Sequence, residues 1–416
     1  MTSTPPSLWK HPDFRRLWTS EAISLIGSQV TFLALPLTAV LTVDATPGEM
    51  GLLTAMSSLP PLLFGLPAGV AVDRRRRKPL IIMSDVGRAG VLSAIPAAWL
   101  LGILTIEWLY VVAFVTGTLS LIAGLAHGAL LPAVVPREQL VDANGKLALT
   151  ATVAEVGGPT LATTLIQLFT APVAIAADAA SYLLSALMLS RMRTKEDMGP
   201  GTGTCGRYWP EMVQGVRLAL GEERLRALVG TRVLLNFFNA MLEAVFVLYI
   251  IRELGIAVGL IGIIFSIGGI GFLAGAVMPA RLARRIGVGA SMVLGIATVA
   301  LSDLLVPLAA GAPVVVMGVL VGAQFFFGIG LTIFNVNGAS LRQAIVPREF
   351  LGRVGATVRV LAEGMTPMGA IAGGALGSAI GLRETLILAA CGELLAAAWL
   401  WFSPVRQMRE LPAPLA

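Results

Sequence analysis

Several acidic side chains of this 416-residue chain lie inside long apolar runs, foremost among them Glu155, Asp178, Glu243 and Glu363. A carboxyl group at the centre of an apolar helix costs about 3 kcal/mol on insertion scales, so its default reading is functional, with helix pairing as the plain alternative. Glu155 and Glu363 are each followed four residues later by a proline, Pro159 and Pro367. Proline removes a backbone hydrogen bond and kinks a helix. Each acid is therefore expected beside a bend, roughly 15 Å (Glu155) and 20 Å (Glu363) into its segment, where it is suited to taking up and releasing protons. Glu243 stands near Asn236, Phe237, Phe238 and Asn239, and Gln324 precedes Phe325, Phe326 and Phe327, with Asn335 and Asn337 beyond. Amides among aromatic rings suit a substrate cavity or hydrogen bonds between helices. Asn236, Phe238, Asn239, Gln324 and Phe327 are the candidates for the cavity. Asp303 and Glu393 are weaker acidic candidates. Glu21 lies about 8 Å beyond Arg16 on the same helix, within reach of a basic neighbour. His127 can titrate near physiological pH, although a lone histidine is more often simply packed.

Other chemistries find no support. Two cysteines, Cys205 and Cys391, and two histidines, His11 and His127, imply neither a disulfide framework nor a zinc site. No phosphate-binding G-x-x-x-x-G-K-[ST] sequence is present. No catalytic residue, metal or cofactor is expected, and the chain does not read as an enzyme.

The elements that must position the acids follow from composition. Hydrophobic residues make up 56% and charged residues 13% of the chain, against about 25% charged in a typical soluble domain. Mean hydropathy is +0.83. So much apolar surface belongs in a bilayer. Runs long enough to span one lie near residues 17–42, 48–72, 79–104, 107–134, 143–168 and 171–190, then 227–250, 256–280, 288–310, 312–339, 352–380 and 384–403. Twelve transmembrane helices are expected, as an all-α membrane protein with six in 1–190, a cytoplasmic loop over 191–226, and six in 227–416. The stretch Tyr208 to Arg226 has the pattern of an amphipathic helix lying on the inner membrane surface.

Basic residues alternate with this count. Arg252 and Arg383 fall on one side, Arg88, Arg232 and Arg359 fall within or at the edge of helices, and the remaining 25 of 30 fall on the other side. Positive residues stay inside, so both termini are expected to be cytoplasmic. The same rule accounts for the net charge of +6 without nucleic acid as a partner. The polar, basic N-terminus has no apolar core of a signal peptide, and no cleaved leader is expected.

The two halves repeat. Val135-Pro136-Arg137-Glu138 recurs as Val346-Pro347-Arg348-Glu349, 211 residues later, and Glu155 with Pro159 recurs as Glu363 with Pro367, 208 later. In the same relative place, Gly65–Gly69 precedes Asp73–Lys78, and Gly271–Gly275 precedes Arg281–Arg285. Parallel repeats of this kind build transporters whose substrate site lies between the halves.

On these residues the chain resembles the major facilitator superfamily of transporters over nearly its whole length. Gly69, Asp73, Arg74, Arg77 and Lys78 match the family's G-x-x-x-D-R-x-G-R-K loop signature, with Arg76 in place of the second glycine. Several segments are similar to the third drug:proton antiporter group, which includes macrolide-efflux and enterobactin-exporter-like proteins. They are Phe14-Arg15-Arg16-Leu17-Trp18 with Ser24–Ser28, Asp85-x-x-Arg88, Ala143-Asn144, Gly158-Pro159, Asp178–Tyr182, Gly215-Val216-Arg217 and Arg406-x-x-Arg409-Glu410-Leu411-Pro412. Two departures stand out. Span four carries His127 and no arginine, and Leu161-Ala162 replace the glycines that follow Gly158-Pro159 in the antiporter signature.

The resemblance implies the major facilitator fold, two pseudo-symmetric six-helix bundles working by alternating access. It implies a cytoplasmic gate built on Gly69, Asp73, Arg74, Arg77 and Lys78, with Asp85 and Arg88 on one helix face nearby. Arg74, Arg77 and Lys78 read equally as topology determinants and lipid-phosphate binders. The expected activity is proton-coupled efflux of an amphipathic small molecule (drug, antibiotic or siderophore) across the cell membrane by a monomer, with protons, substrate and lipids as partners. Proton-coupled uptake on the same fold, and a non-transporting scramblase or sensor, are the alternatives.

Overall fold

A computed structural model describes residues 8–193, 208–347, 350–410 and 412. Every described element is helical, as a chain in lipid requires when no water is available to its backbone groups. The helices are α1 (Pro12–Leu41), α2 (Pro47–Asp73), α3 (Arg77–Leu100), α4 (Ile106–Val134), α5 (Leu140–Leu168), α6 (Ala171–Ser190), α7 (Tyr208–Gly221), α8 (Glu223–Arg252), α9 (Val258–Ala276), α10 (Pro279–Ile286), α11 (Val288–Leu308), α12 (Pro313–Ile345), α13 (Leu351–Glu363), α14 (Met365–Ile380) and α15 (Leu382–Trp401). Among the described residues, nine of them (α1, α3, α4, α6, α8, α9, α11, α12 and α15) are long and apolar enough to cross a membrane. At the other expected spans stand α2, α5 and the pair α13–α14. Two of the intervening turns use glycine in the left-handed region, Gly102 after α3 and Gly255 after α8, a conformation that a Cβ atom disfavours.

The chain separates into two compact units: Met1–Ala45 with Met56–Gly203, and Thr46–Ala55 with Thr204–Ala416. In the first, Phe14 and Leu17 of α1, Ile81 of α3, Leu130 of α4 and Leu189 of α6 form a buried cluster. In the second, Leu228, Met292, Ile296, Phe334, Leu341 and Leu400 do the same for α8, α11, α12 and α15. The first turns of α2 belong to the second unit, where Ala55 meets Ala240, Ala244 and Ala370.

Small residues decide how closely these helices approach. Lipid offers no hydrophobic drive to helix pairing, so backbone contact and dispersion must supply it. A Cβ on Gly373 of α14 would lie 2.2 Å from the Met241 carbonyl oxygen of α8, and one on Gly330 of α12 would lie 2.5 Å from the Gly295 carbonyl oxygen of α11.

The two proline-linked acids meet different fates. α5 continues as helix through Pro159. Span eleven is interrupted: α13 ends at Glu363 and α14 begins at Met365, with Gly364 between them. The predicted amphipathic stretch is α7, ending at Gly221. It packs against α13, with Ala219 fully buried in the core of the second unit and Arg353 donating to Gln214 at 2.9 Å.

Candidate functional site

In the first unit, polar side chains from four helices meet. On α3 the Asp85 carboxylate accepts from the Arg88 guanidinium one turn on, and both are buried, at 0% and 7% exposure. The other oxygen of Asp85 accepts from Ser185 Oγ of α6 at 2.7 Å, and Arg88 reaches Ser120 of α4 at 3.3 Å. The guanidinium also lies 3.9 Å above the Tyr182 ring, a favourable cation–π arrangement. Tyr182 bonds Ser28 of α1 at 2.8 Å. Asp178, 1% exposed, accepts from Thr31 of α1 and from Ser181 at 3.1 Å. A buried carboxylate is tolerated when donors surround it in this way.

Beside this set, Glu21 of α1 and His127 of α4 form a bond of 2.7 Å between a carboxylate oxygen and Nδ1, both half-buried, and Arg88 adds its field at Glu21. Glu21 takes this partner on another helix, while Arg16, the nearest basic residue on its own helix, pairs with Asp13 at 2.7 Å.

The residues predicted for the gate lie at the end of α2, in the turn after it and at the start of α3. Gly69 has open space around it, Arg74 is exposed, and Lys78 donates to the Ser190 and Met192 carbonyls at 3.2 and 2.7 Å. Lysine thus closes the C-terminal end of α6, where a positive charge complements the helix dipole. Arg77 is half-buried at the start of α3, and the side chain of Asp73 lies outside the described residues. Asp85 and Arg88 have their partners on α4 and α6, roughly 12 Å or more along α3 from the loop.

In the second unit, Asn236 of α8 donates to the Ala362 carbonyl at 2.9 Å. At the end of α13 the Gly364 N–H turns back to the Val360 and Ala362 carbonyls, and Asn236 adds a side-chain donor to Ala362. Replacing Asn236 with leucine is expected to cost about 0.5–1.5 kcal/mol, the net worth of one hydrogen bond. A lowered unfolding midpoint in detergent would register it, and an unchanged one would show that the break needs no such support. Glu363, at that break, lies 3.6 Å from Arg359 and is half exposed. Glu155 and Glu243 are exposed and make no hydrogen bond or ion pair with a described residue.

The cavity candidates divide as well. Phe238 packs its ring over Gly392, where a Cβ would lie 2.2 Å from it, and Phe327 packs edge-on against Phe272 at 6.3 Å. Asn239 faces Glu393. Gln324 stands over Gly268 of α9. Asn337 is spent within the unit, donating to Ser291 at 3.2 Å and the Ile333 carbonyl at 3.0 Å, whereas Asn335 accepts from Arg232 at 3.0 Å. Near the end of α8, partial burial and then the charge of Glu384 push the Glu253 carboxyl above its usual range, against the opposing pull of Arg383.

Sequence reasoning set Glu21, His127, Asp303 and Glu393 below the other acids and did not pair them across helices. One signal was available for the first unit. Ser28 and Thr31, three apart, and Asp178, Ser181, Tyr182 and Ser185, spaced at three, four and seven, each mark one polar face of a helix.

Residues 3–414 match the family described as transmembrane secretion effectors. The chain belongs to this family of the major facilitator superfamily. It is 25% identical over 392 residues to the uncharacterized transporter YfiS of Bacillus subtilis, covering 90% of this chain and 89% of that one. It is 24% identical over 237 residues to macrolide efflux protein A of Streptococcus pyogenes, covering 56% and 57% of the two chains. Its fold is similar to that of the nucleoside transporter NupG (TM-score 0.77, 14% identity, 93% and 98% covered). It is also similar to a bacterial ferroportin homologue in an inward-facing state (TM-score 0.73, 17% identity, 95% and 98% covered). This secretion-effector relative is therefore a multi-pass membrane transporter of the major facilitator type.

Proposed function

We propose that this transporter exports amphipathic small molecules from the cell in exchange for protons by alternating access. It would work as a monomer in the cell membrane, with cytoplasmic termini and two six-helix halves, 1–190 and 227–416, joined by 191–226. The observation that carries the proton coupling is the Glu21–His127 bond between α1 and α4. A carboxylate–imidazolium bond is roughly twice as strong as its neutral counterpart, and histidine changes charge in the physiological range. One proton therefore changes how tightly α4 is held to α1. Arg88, which also acts on Glu21, links this pair to Asp85 and Asp178, so its charge state is felt across the bundle. Gln324, on the same helix as Phe325, Phe326 and Phe327, would offer an amide among aromatic rings without a fixed charge, which suits a large amphipathic molecule. Efflux as the direction draws support from the family description and from the macrolide-efflux relative. Glu155, Glu243 and Glu363, open on α5, α8 and α13, are the further proton candidates, and Asp178 is held by its hydroxyl donors.

Proteoliposomes with an acid lumen test this reading. A macrolide and other amphipathic compounds should enter as the lumen turns alkaline. Glu21→Gln should slow this exchange while leaving substrate binding intact. Substrate entry with no proton movement in the wild type would end the antiport reading. Movement of protons and substrate in the same direction would establish symport instead.

A further inference from the structure

Asp303 of α11 and Glu393 of α15 are buried in the second unit, at 2% and 0% exposure, and face each other with Asn239 of α8 alongside. Among the described residues, no donor comes within hydrogen-bond distance of Asp303 Oδ2 or of either Glu393 oxygen, although the Asn239 amide approaches Glu393. As two carboxylates they are acceptors only, so the contact between them satisfies neither. The ionisable residues on the elements packed around them include Arg232, Glu243, Tyr249, Arg342, Arg383, Glu384 and Cys391, and none of these acts on either carboxyl; each feels the other, and Glu393 also feels Asn239. Two adjacent charges in a low-dielectric interior without a cation are too costly to coexist. A single proton placed between them turns an unsatisfied contact into a carboxyl–carboxylate hydrogen bond.

The internal repeat supplies an independent argument. At the separation of 211 residues, Asn239 corresponds to Ser28 and Glu393 to Tyr182. Ser28 and Tyr182 bond each other in the first unit at 2.8 Å. A neutral phenol is therefore enough to join the first and last spans of a half at this position. The second half carries an acid there, and pairs it with a second acid that has only Leu92 as its counterpart at that separation.

We infer that Asp303 and Glu393 form a proton-binding site within the C-terminal bundle, separate from the Glu21–His127 pair, that holds one shared proton and exchanges it during transport. The exchange rests on the proton-coupled reading above; the shared proton does not. The site is tested first without transport. Dicyclohexylcarbodiimide attacks protonated carboxyl groups in apolar surroundings, so the detergent-solubilised protein should acquire an adduct at Glu393 or Asp303, located by mass spectrometry and lost at high pH. Asp303→Asn and Glu393→Gln, which remove charge without changing shape, should each remain folded. In the wild type, infrared difference spectra between acid and alkaline pH should contain a protonated-carboxyl band that shifts in frequency in each variant, where one carboxyl remains, and vanishes when both are replaced. Neither adduct nor band at any pH, or protection from the reagent by sodium ions in place of pH, would overturn the shared proton. In the second stage, substrate added in detergent should release about one proton fewer from Glu393→Gln than from the wild type, with the two carboxyls titrating as a unit. Equal release would overturn the exchange while leaving the shared proton standing. No release from either protein, with no proton flux in liposomes, would overturn proton coupling as a whole and the exchange with it, again without touching the adduct.

Discussion

Replacing Arg88 with methionine should destabilise the protein by about 3–5 kcal/mol, because it leaves the Asp85 carboxylate buried with its charge uncompensated. Asp85 is fully buried and its second oxygen is already committed to Ser185, so no rotation of the side chain brings it to solvent. The same substitution frees Ser120 and removes the cation from the face of Tyr182. The loss is to be read as a fall in the midpoint of thermal unfolding in detergent, and as reduced recovery of monodisperse protein. The double substitution Asp85→Asn with Arg88→Met should regain most of that stability, because removing both charges from a buried pair is often neutral. If Arg88→Met alone melts with the wild type, the pair contributes nothing to the fold, and its charges must be explained through transport alone. If the double variant is as unstable as the single one, the hydrogen bonds to Ser185 and Ser120 matter more than the charges.

A leucine at Gly330 is expected to be comparably damaging for a different reason. Its Cβ would lie 2.5 Å from the Gly295 carbonyl oxygen and 3.1 Å from Thr298 and Val299, and a Cβ on Gly295 would in turn lie 2.8 Å from the Gly330 carbonyl oxygen. Backbone faces backbone from both sides, so neither helix can relieve the clash by turning a side chain. Forcing added bulk into such a contact costs about 1–3 kcal/mol, and more where the surroundings cannot shift. Gly322, on the same helix with nothing within 4 Å, is the control: leucine there should leave the unfolding midpoint unchanged. Equal melting of the Gly330 and Gly322 variants would mean that α11 and α12 tolerate separation.

Much of the architecture was legible in the sequence because the bilayer imposes a one-dimensional constraint. A run of apolar residues long enough to cross must be helical, and the basic residues that flank it must stay on one side. The break in span eleven was partly legible too, as Glu363 followed by Pro367. The matching pair in span five, Glu155 and Pro159, nevertheless sits in a continuous helix, because one proline can be accommodated within a helix that its neighbours support. The residue after the acid differs, Gly364 in span eleven and Val156 in span five, although Gly364 itself keeps helical dihedrals (φ −62°, ψ −21°).

Partners across helices were not legible. Glu21 finds His127 more than a hundred residues away, and Asp85 finds Ser185. The rotation of each helix about its axis selects those partners, and that rotation is set by glycine contacts such as Gly330 with Gly295, which leave no periodic mark of their own.

Composition and periodicity alone determined that this chain is an all-helical, multi-pass membrane protein with a repeated half, since burying so many apolar residues and satisfying every backbone group in lipid allows little else. Only the tertiary structure decided what each intramembrane acid does. It surrounded Asp178 and Asp85 with donors, set Glu21 against a histidine, left Glu155 and Glu243 open, and turned Asp303 and Glu393 toward each other. The cost of a buried charge depends on the few atoms within hydrogen-bonding distance, and those atoms come from other helices.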